Sequence, residues 1–213
     1  MNRILIHSAF LLVLLTGMSA CQNHTDGVED LSSYVNPFIG TSVKADTEQS
    51  FNSMGKTFPG AATPFGMTQV SPNTITGGDN GSGYGYQHKT IEGFAFTQMS
   101  GIGWYGDLGN FLVMPTTGEL HVVAGKESDP EKKGYRSEYD KASEAASAGY
   151  YTARLTKYDI LTEATASPHG GALRFTYPAS DLSRIQIDLA RRVGGTSTTQ
   201  YVEVVNDNTI RGW

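Results

Sequence analysis

Three short runs decide the fold: Tyr151-Thr152-Ala153-Arg154-Leu155-Thr156, Leu161-Thr162-Glu163-Ala164-Thr165-Ala166 and Ala172-Leu173-Arg174-Phe175-Thr176-Tyr177. Apolar and polar residues alternate in each, which is the period of a strand with one buried face. Between the second and third lies Ser167-Pro168-His169-Gly170-Gly171, a set of turn residues, so these two runs read as a hairpin. Downstream, Arg184-Ile185-Gln186-Ile187-Asp188-Leu189 alternates strictly. Tyr201-Val202-Glu203-Val204-Val205, Asn206-Asp207-Asn208 and Thr209-Ile210 then read as strand, turn and strand. Upstream, from Tyr34, apolar runs are broken every few residues by glycine or proline, and no helical period is sustained. Residues 137–148, alanine-rich and closed by Gly149, are the one helical candidate. Their apolar face is too thin to bury much, and they read as a short surface turn. Many short strands punctuated by turns predict an all-β fold, an antiparallel β-sandwich.

Composition agrees with that class. The 213 residues include 25 Gly and 8 Pro, only 17% are charged, and 11 Tyr and 9 Phe can anchor a core. A long helical bundle and a disordered tail are both excluded by this balance. The formal net charge is −5 and no basic cluster occurs, so nucleic acid is not an expected partner, since phosphate neutralisation carries most of such affinity.

The N-terminus has Arg3, an apolar run across residues 4–15, and then Thr16-Gly17-Met18-Ser19-Ala20-Cys21. A charged start, a hydrophobic middle and small residues at a cut site define a secretion signal over residues 1–20. The run is too short for a membrane span and is interrupted by His7 and Ser8. Met18-Ser19-Ala20-Cys21 resembles a bacterial lipobox, which makes Cys21 a lipidation site and the lipid a membrane anchor. Cys21 is the single cysteine, so intrachain disulfides and cysteine-rich zinc sites are ruled out. Residues 21–33 are then a lipidated polar tether, and residues 34–213 the folded part. The expected location is that of an exported bacterial lipoprotein, at the outer membrane or cell surface or in the periplasm.

Several motifs fail on context. Gly101-Ile102-Gly103-Trp104-Tyr105-Gly106 spells a dinucleotide fingerprint, but Gly109 and Pro115 fall where the required helix would run. Gly55-Lys56-Thr57 resembles the end of a phosphate loop, yet its first glycine is replaced by Ser50. Asp79-Asn80-Gly81-Ser82 lacks the alternating carboxylates of a calcium loop. His24, His88, His121 and His169 have no zinc spacing. Glu48, Asp79, Glu92, Asp107 and Glu119 could supply a carboxylate pair for glycosidic chemistry, but spacing alone does not bring any two together.

Two longer strings are specific. Tyr34-Val35-Asn36-Pro37-Phe38-Ile39-Gly40-Thr41 and Thr57-Phe58-Pro59-Gly60-Ala61-Ala62-Thr63-Pro64-Phe65-Gly66-Met67-Thr68-Gln69-Val70-Ser71-Pro72 resemble the opening of glycoside hydrolase family 92, the bacterial exo-acting α-mannosidases. The likeness continues through Gly83-Tyr84-Gly85-Tyr86, Ile91-Glu92-Gly93-Phe94, Ser100-Gly101-Ile102-Gly103, Gly106-Asp107-Leu108-Gly109, Met114-Pro115-Thr116-Thr117-Gly118 and Gly149-Tyr150-Tyr151. The chain departs from the family's pattern at Phe96 and Gln98, where histidines are usual, and at Lys141, where a histidine is common.

The resemblance implies an N-terminal β-sandwich that packs on a much larger C-terminal (α/α)6 barrel. It implies hydrolysis of terminal α-linked mannose with inversion, with α-1,2 linkages in mannans or high-mannose N-glycans as the expected target. It also implies calcium, bound by the barrel, which supplies the catalytic carboxylates. This chain is expected to be the sandwich alone, ending before its own last strands, a reading to which Trp213 directly after a strand also points. Its contribution would be part of the substrate-pocket wall: Phe65, Gly66, Tyr84, Tyr86, Gly103, Trp104 and Asp107 are carried over as substrate-binding candidates, and no residue as catalytic. The alternative is a surface carbohydrate-binding module without catalysis, since an exposed aromatic at a loop tip suits the apolar face of a pyranose.

Overall fold

The computed structural model describes residues 29–42, 56–76, 82–100, 108–129, 131, 133–194 and 197–213. The chain divides into residues 1–31 and a unit from Ser32 to Trp213. Of the first, residues 29–31 are described, and there the Leu31 amide donates to the Glu29 carbonyl at 2.9 Å. The signal, Cys21 and most of the tether lie outside the described residues. After a single 3-10 turn at Leu31–Tyr34, the second unit is built from strands: β1 (Ala61–Ala62), β2 (Gln69–Asn73), β3 (Thr90–Ile91), β4 (Gly93–Ala95), β5 (Leu112–Thr116), β6 (Ser137–Ser147), β7 (Tyr150–Leu155), β8 (Ile160–Ser167), β9 (Gly170–Thr176), β10 (Arg184–Asp188), β11 (Val202–Asn206) and β12 (Thr209–Gly212).

Two five-stranded sheets, ordered β1-β2-β4-β5-β10 and β3-β6-β7-β8-β9, enclose the core, and β11-β12 forms a separate hairpin. Every ladder between these strands is antiparallel. The expected antiparallel sandwich is the fold. Alternation explains how the second sheet faces inward: β7 buries Tyr151, Ala153 and Leu155, and β8 buries Ile160, Thr162 and Ala164. The first sheet answers with Val70, Phe94 and Met114, and Phe94 meets Tyr151 and Phe175 at ring-centroid distances of 6.3 and 6.4 Å. Full burial of a side chain of that size stabilises by about 1.5–3 kcal/mol.

The hairpins expected at β8-β9 and β11-β12 form with two-residue connections. Residues 137–148 correct the sequence reading. All but Ala148 form a strand, β6, and not a surface turn, because Ser137 and Tyr139 bury against the core while β3 and β7 pair with the backbone on either side. Between Asp140, opposite Arg154, and Ala145, opposite Thr152, the register slips, so four residues of β6 oppose Ala153 alone. That bulge destroys the period-two signal. In β10 the alternation is genuine but inverted. Ile185 and Ile187 are exposed, and polar Gln186 and Asp188 turn inward to Thr116 and to the Tyr135 hydroxyl.

The two specific strings also meet a common partner. The Tyr86 amide donates to the Thr41 carbonyl at 3.0 Å, Thr57 Oγ1 to the Ile39 carbonyl at 2.7 Å, and Ser82 Oγ to the Thr57 carbonyl at 2.8 Å. Segments 38–41, 57 and 82–86 are thereby laced into one structure. Thr57, the threonine of the phosphate-loop look-alike, is a tie between loops.

Candidate functional site

The β6 bulge is stabilised locally before it presents anything. Asp140 Oδ1 accepts from the Ala142 amide at 2.9 Å, Ser143 Oγ donates to the Asp140 carbonyl at 2.8 Å, and Ser143 Oγ accepts the Arg154 amide at 3.0 Å. These bonds substitute for the missing ladder bonds. The bulge turns Lys141 and Glu144 toward a cluster of tyrosines. Glu144 Oε1 accepts the Tyr84 hydroxyl at 2.7 Å and the Tyr151 hydroxyl at 2.8 Å, while Oε2 takes the Lys141 ammonium at 2.7 Å. Lys141 also donates to Tyr84 Oη at 3.1 Å and lies 4.2 Å from the Tyr86 ring centroid and 4.6 Å from that of Tyr139.

The Glu144 side chain is buried, and a buried carboxylate is tolerated only when charge and lone pairs are answered. Here two phenols and an ammonium answer them. Burial first, then the neighbouring Tyr151, Tyr139 and Glu144, pushes the Tyr84 phenol far above its ordinary value. Burial likewise pushes Tyr151 and Tyr139 up. All three therefore stay protonated donors. Desolvation lowers the Lys141 ammonium, against the opposing pull of Glu144. Glu144 is thus committed to two phenols and an ammonium.

Glu92 is similarly committed: its carboxylate meets Arg136 and the Thr76 hydroxyl, with a side chain as buried as that of Glu144. It is not half of a hydrolytic pair. Among the described residues no group of three or more His, Cys, Asp or Glu is placed to hold a metal. With its two buried glutamates spent on cations and hydroxyls, the described part does not fit the calcium that the family resemblance implies.

Of the residues carried over, Tyr84 and Tyr86 are brought together around Lys141, but in different roles. Tyr84 is fully buried and acts as a core donor, whereas Tyr86 is 44% exposed and meets Phe38 edge-on at 5.8 Å. Phe65 and Gly66 form a separate turn. Phe65 is fully exposed in a left-handed conformation, φ 59°, the Gly66 amide donates to the Thr63 carbonyl at 3.0 Å, and the Met67 amide to the Pro168 carbonyl at 2.8 Å. A Cβ on Gly66 would come within 2.3 Å of Thr63 Oγ1. Gly103, Trp104 and Asp107 lie outside the described residues. On either side of them in sequence, Thr97 Oγ1 accepts the Gly109 and Asn110 amides, both at 3.2 Å. Sequence reasoning missed Glu144, Tyr139 and Tyr151. Only the departure at Lys141 signalled the region.

Comparison with known proteins defines first the class and then the family. The fold is similar to that of a family 92 α-mannosidase from Bacteroides thetaiotaomicron, at 40% identity and a TM-score of 0.78 over 86% of this chain and 23% of that one. The same mannosidase in complex with mannoimidazole matches at 39% identity and a TM-score of 0.77, again over 86% of this chain and 23% of that one. A family 92 inverting mannosidase from Bacteroides thetaiotaomicron VPI-5482 matches at 25% identity and a TM-score of 0.56, over 74% of this chain and 19% of that one. An uncharacterized secreted glycosidase of Arthroderma benhamiae is 26% identical over 149 residues, 70% of this chain and 18% of that protein. The family model for the glycosyl hydrolase family 92 N-terminal domain matches residues 34–213. The chain belongs to glycosyl hydrolase family 92, and what it carries is the N-terminal domain. It spans about a quarter of the length of the solved relatives, 23% for the first two.

Proposed function

We propose that this chain is the N-terminal part of a calcium-dependent, inverting exo-α-mannosidase acting on α-1,2-linked mannose of mannans or high-mannose N-glycans. The observation that carries the reading is the family match over residues 34–213, joined to likeness with an α-mannosidase that binds mannoimidazole. Glu92 and Glu144 are each committed to a cation and to hydroxyls, and in this reading the catalytic acid, the base and the calcium ligands lie in the remainder of the protein. Inversion needs a protonated carboxyl at the leaving oxygen and a carboxylate that activates water on the opposite face.

In this reading the domain walls the pocket. Phe65, held outward in a left-handed turn, and Tyr86 supply aromatic faces, and Gly66 keeps the Phe65 turn tight. Gly103, Trp104 and Asp107 fall in sequence between Thr97 and the Gly109 and Asn110 amides that donate to it, and they complete the proposed wall. Tyr84 supports that wall from behind without touching sugar. Residues 1–20 direct export, Cys21 carries the lipid, and residues 21–33 tether the enzyme to the membrane. Export is in keeping with the secreted glycosidase among its relatives.

The test is hydrolysis by the full-length protein of α-1,2-, α-1,3- and α-1,6-linked mannobioses, with calcium and after chelation. The reading expects mannose release, fastest from the α-1,2 linkage and lost on chelation. No release from any of them rejects it.

A further inference from the structure

Among the described residues, β9 ends one five-stranded sheet and β10 ends the other. Residues 177–183 join the two strands, and the Tyr177 hydroxyl donates to the Arg184 carbonyl at 2.8 Å, so both terminal strands lie on one flank of the sandwich. The register shows what that flank carries. Phe94 pairs with Val113, and Val113 with Ile187. Directly paired residues point to one face, so Ile187, and Ile185 two positions before it, continue the row that Phe94 begins against Tyr151 and Phe175. Along that row Phe94 is fully buried, Val113 half-buried, Ile187 39% exposed and Ile185 57% exposed. The opposite sheet runs out before the row does: Phe175 and Tyr177, with ring centroids 6.5 Å apart, are only partly buried.

An edge strand with an apolar row is a template for another segment, and folded proteins pair, cover or charge such edges. The charges of β10 do not guard this row. Arg184 and Asp188 alternate onto the other face, where they meet the Gly118 carbonyl and the Tyr135 hydroxyl. Two isoleucines and two aromatics beside a five-residue strand are a small contact for a free partner, which needs about 800 Å² on each side. An occupant on the same polypeptide needs far less, because the tether sets its effective concentration. The solved relatives are long enough to hold one, since this chain matches 23% of each of the first two. We propose that the β9–β10 flank is the surface on which the remainder of this protein is seated, with an apolar segment laid over Ile185, Ile187, Phe175 and Tyr177. The proposal rests on the reading of the chain as the N-terminal part of a longer enzyme.

Thiol labelling of the full-length protein tests it. Ile185→Cys and Ile187→Cys are each labelled with a maleimide at two protein concentrations, and the modified peptide is followed by mass spectrometry against its rate in denaturant. In a parallel sample a photoreactive benzoylphenylalanine replaces Ile187, and the cross-linked peptide is identified. Expected is labelling slowed about 100-fold at both concentrations, with cross-links to peptides beyond residue 213 of the same molecule. Labelling slowed less than about tenfold, protection lost on dilution, or cross-links only to a second copy or within residues 34–213 overturns the proposal. Hydrolysis of α-mannobioses is read on the same unlabelled protein. Hydrolysis with an open flank overturns the proposal and leaves the mannosidase reading in place, and a covered flank without hydrolysis does the reverse. A native protein no longer than 213 residues overturns both.

Discussion

The Lys141 ammonium lies 2.7 Å from the Glu144 carboxylate although the two residues are three apart on a strand. On a regular strand such positions point to opposite faces. The bulge that sets four residues of β6 against Ala153 brings both to the same side, so a buried acid receives its cation from its own strand. Glu144→Ala would strand that cation and the Tyr84 and Tyr151 hydroxyls together. We expect a loss of about 3–5 kcal/mol, against about 1–3 kcal/mol for Glu144→Gln, in denaturant unfolding of the full-length protein. Equal and negligible losses would show that the cluster is not structural.

Alkaline pH should attack the same cluster. The folded chain holds the Tyr84, Tyr139 and Tyr151 phenols above the ordinary value of 10.0, chiefly through burial. Above pH 10 the unfolded chain releases these protons and the folded chain keeps them, so stability is unaffected below that pH and falls above it. The slope is about 1.4 kcal/mol per pH unit for each such tyrosine. Phenolate absorbance and unfolding followed together should show these tyrosines ionising only as the fold is lost. Their ionisation in a still-folded chain would contradict the burial argument.

Phe65 combines full exposure with φ 59°, a conformation that costs a non-glycine residue of order 1 kcal/mol or more. Phe65→Gly should therefore leave the thermal midpoint unchanged or raise it, while kcat/KM on mannobiose falls about tenfold through the lost aromatic face. Unchanged turnover would remove Phe65 from the pocket wall.

Gly109, two residues beyond Asp107, has φ 79° and a hypothetical Cβ only 2.4 Å from Val193 Cγ2. Val193 is itself buried, and its amide donates to the Leu108 carbonyl at 3.0 Å. Gly109→Ala should cost about 1–3 kcal/mol in unfolding experiments, and Val193→Ala in the same chain should relieve the clash in part while the φ strain persists. Full additivity of the two losses would argue against that contact.

The strands that announced themselves were those whose side chains obey one period throughout. Tyr151, Ala153 and Leu155 alternate with polar neighbours, and Pro168-His169 marks the turn between β8 and β9. β6 was illegible because alanine, serine and glutamate carry little strand preference and the bulge at residues 141–144 breaks the alternation. The inverted burial of Ile185 and Ile187 was invisible for a different reason: alternation shows that two faces differ, not which of them meets the core. At the site, Tyr84 and Tyr86 were legible through their motif, but their roles were not. The partner that separates them, Glu144, lies 60 residues from Tyr84 in sequence, and only the folded sheet brings the two within hydrogen-bond reach.

The proposed inverting hydrolysis of α-mannosides is tested most directly by proton NMR of the first sugar released by the full-length protein from α-1,2-mannobiose in calcium buffer. The expected initial product is β-mannose, mutarotating afterwards to the equilibrium mixture. Release of α-mannose first, or no mannose at all, would contradict it.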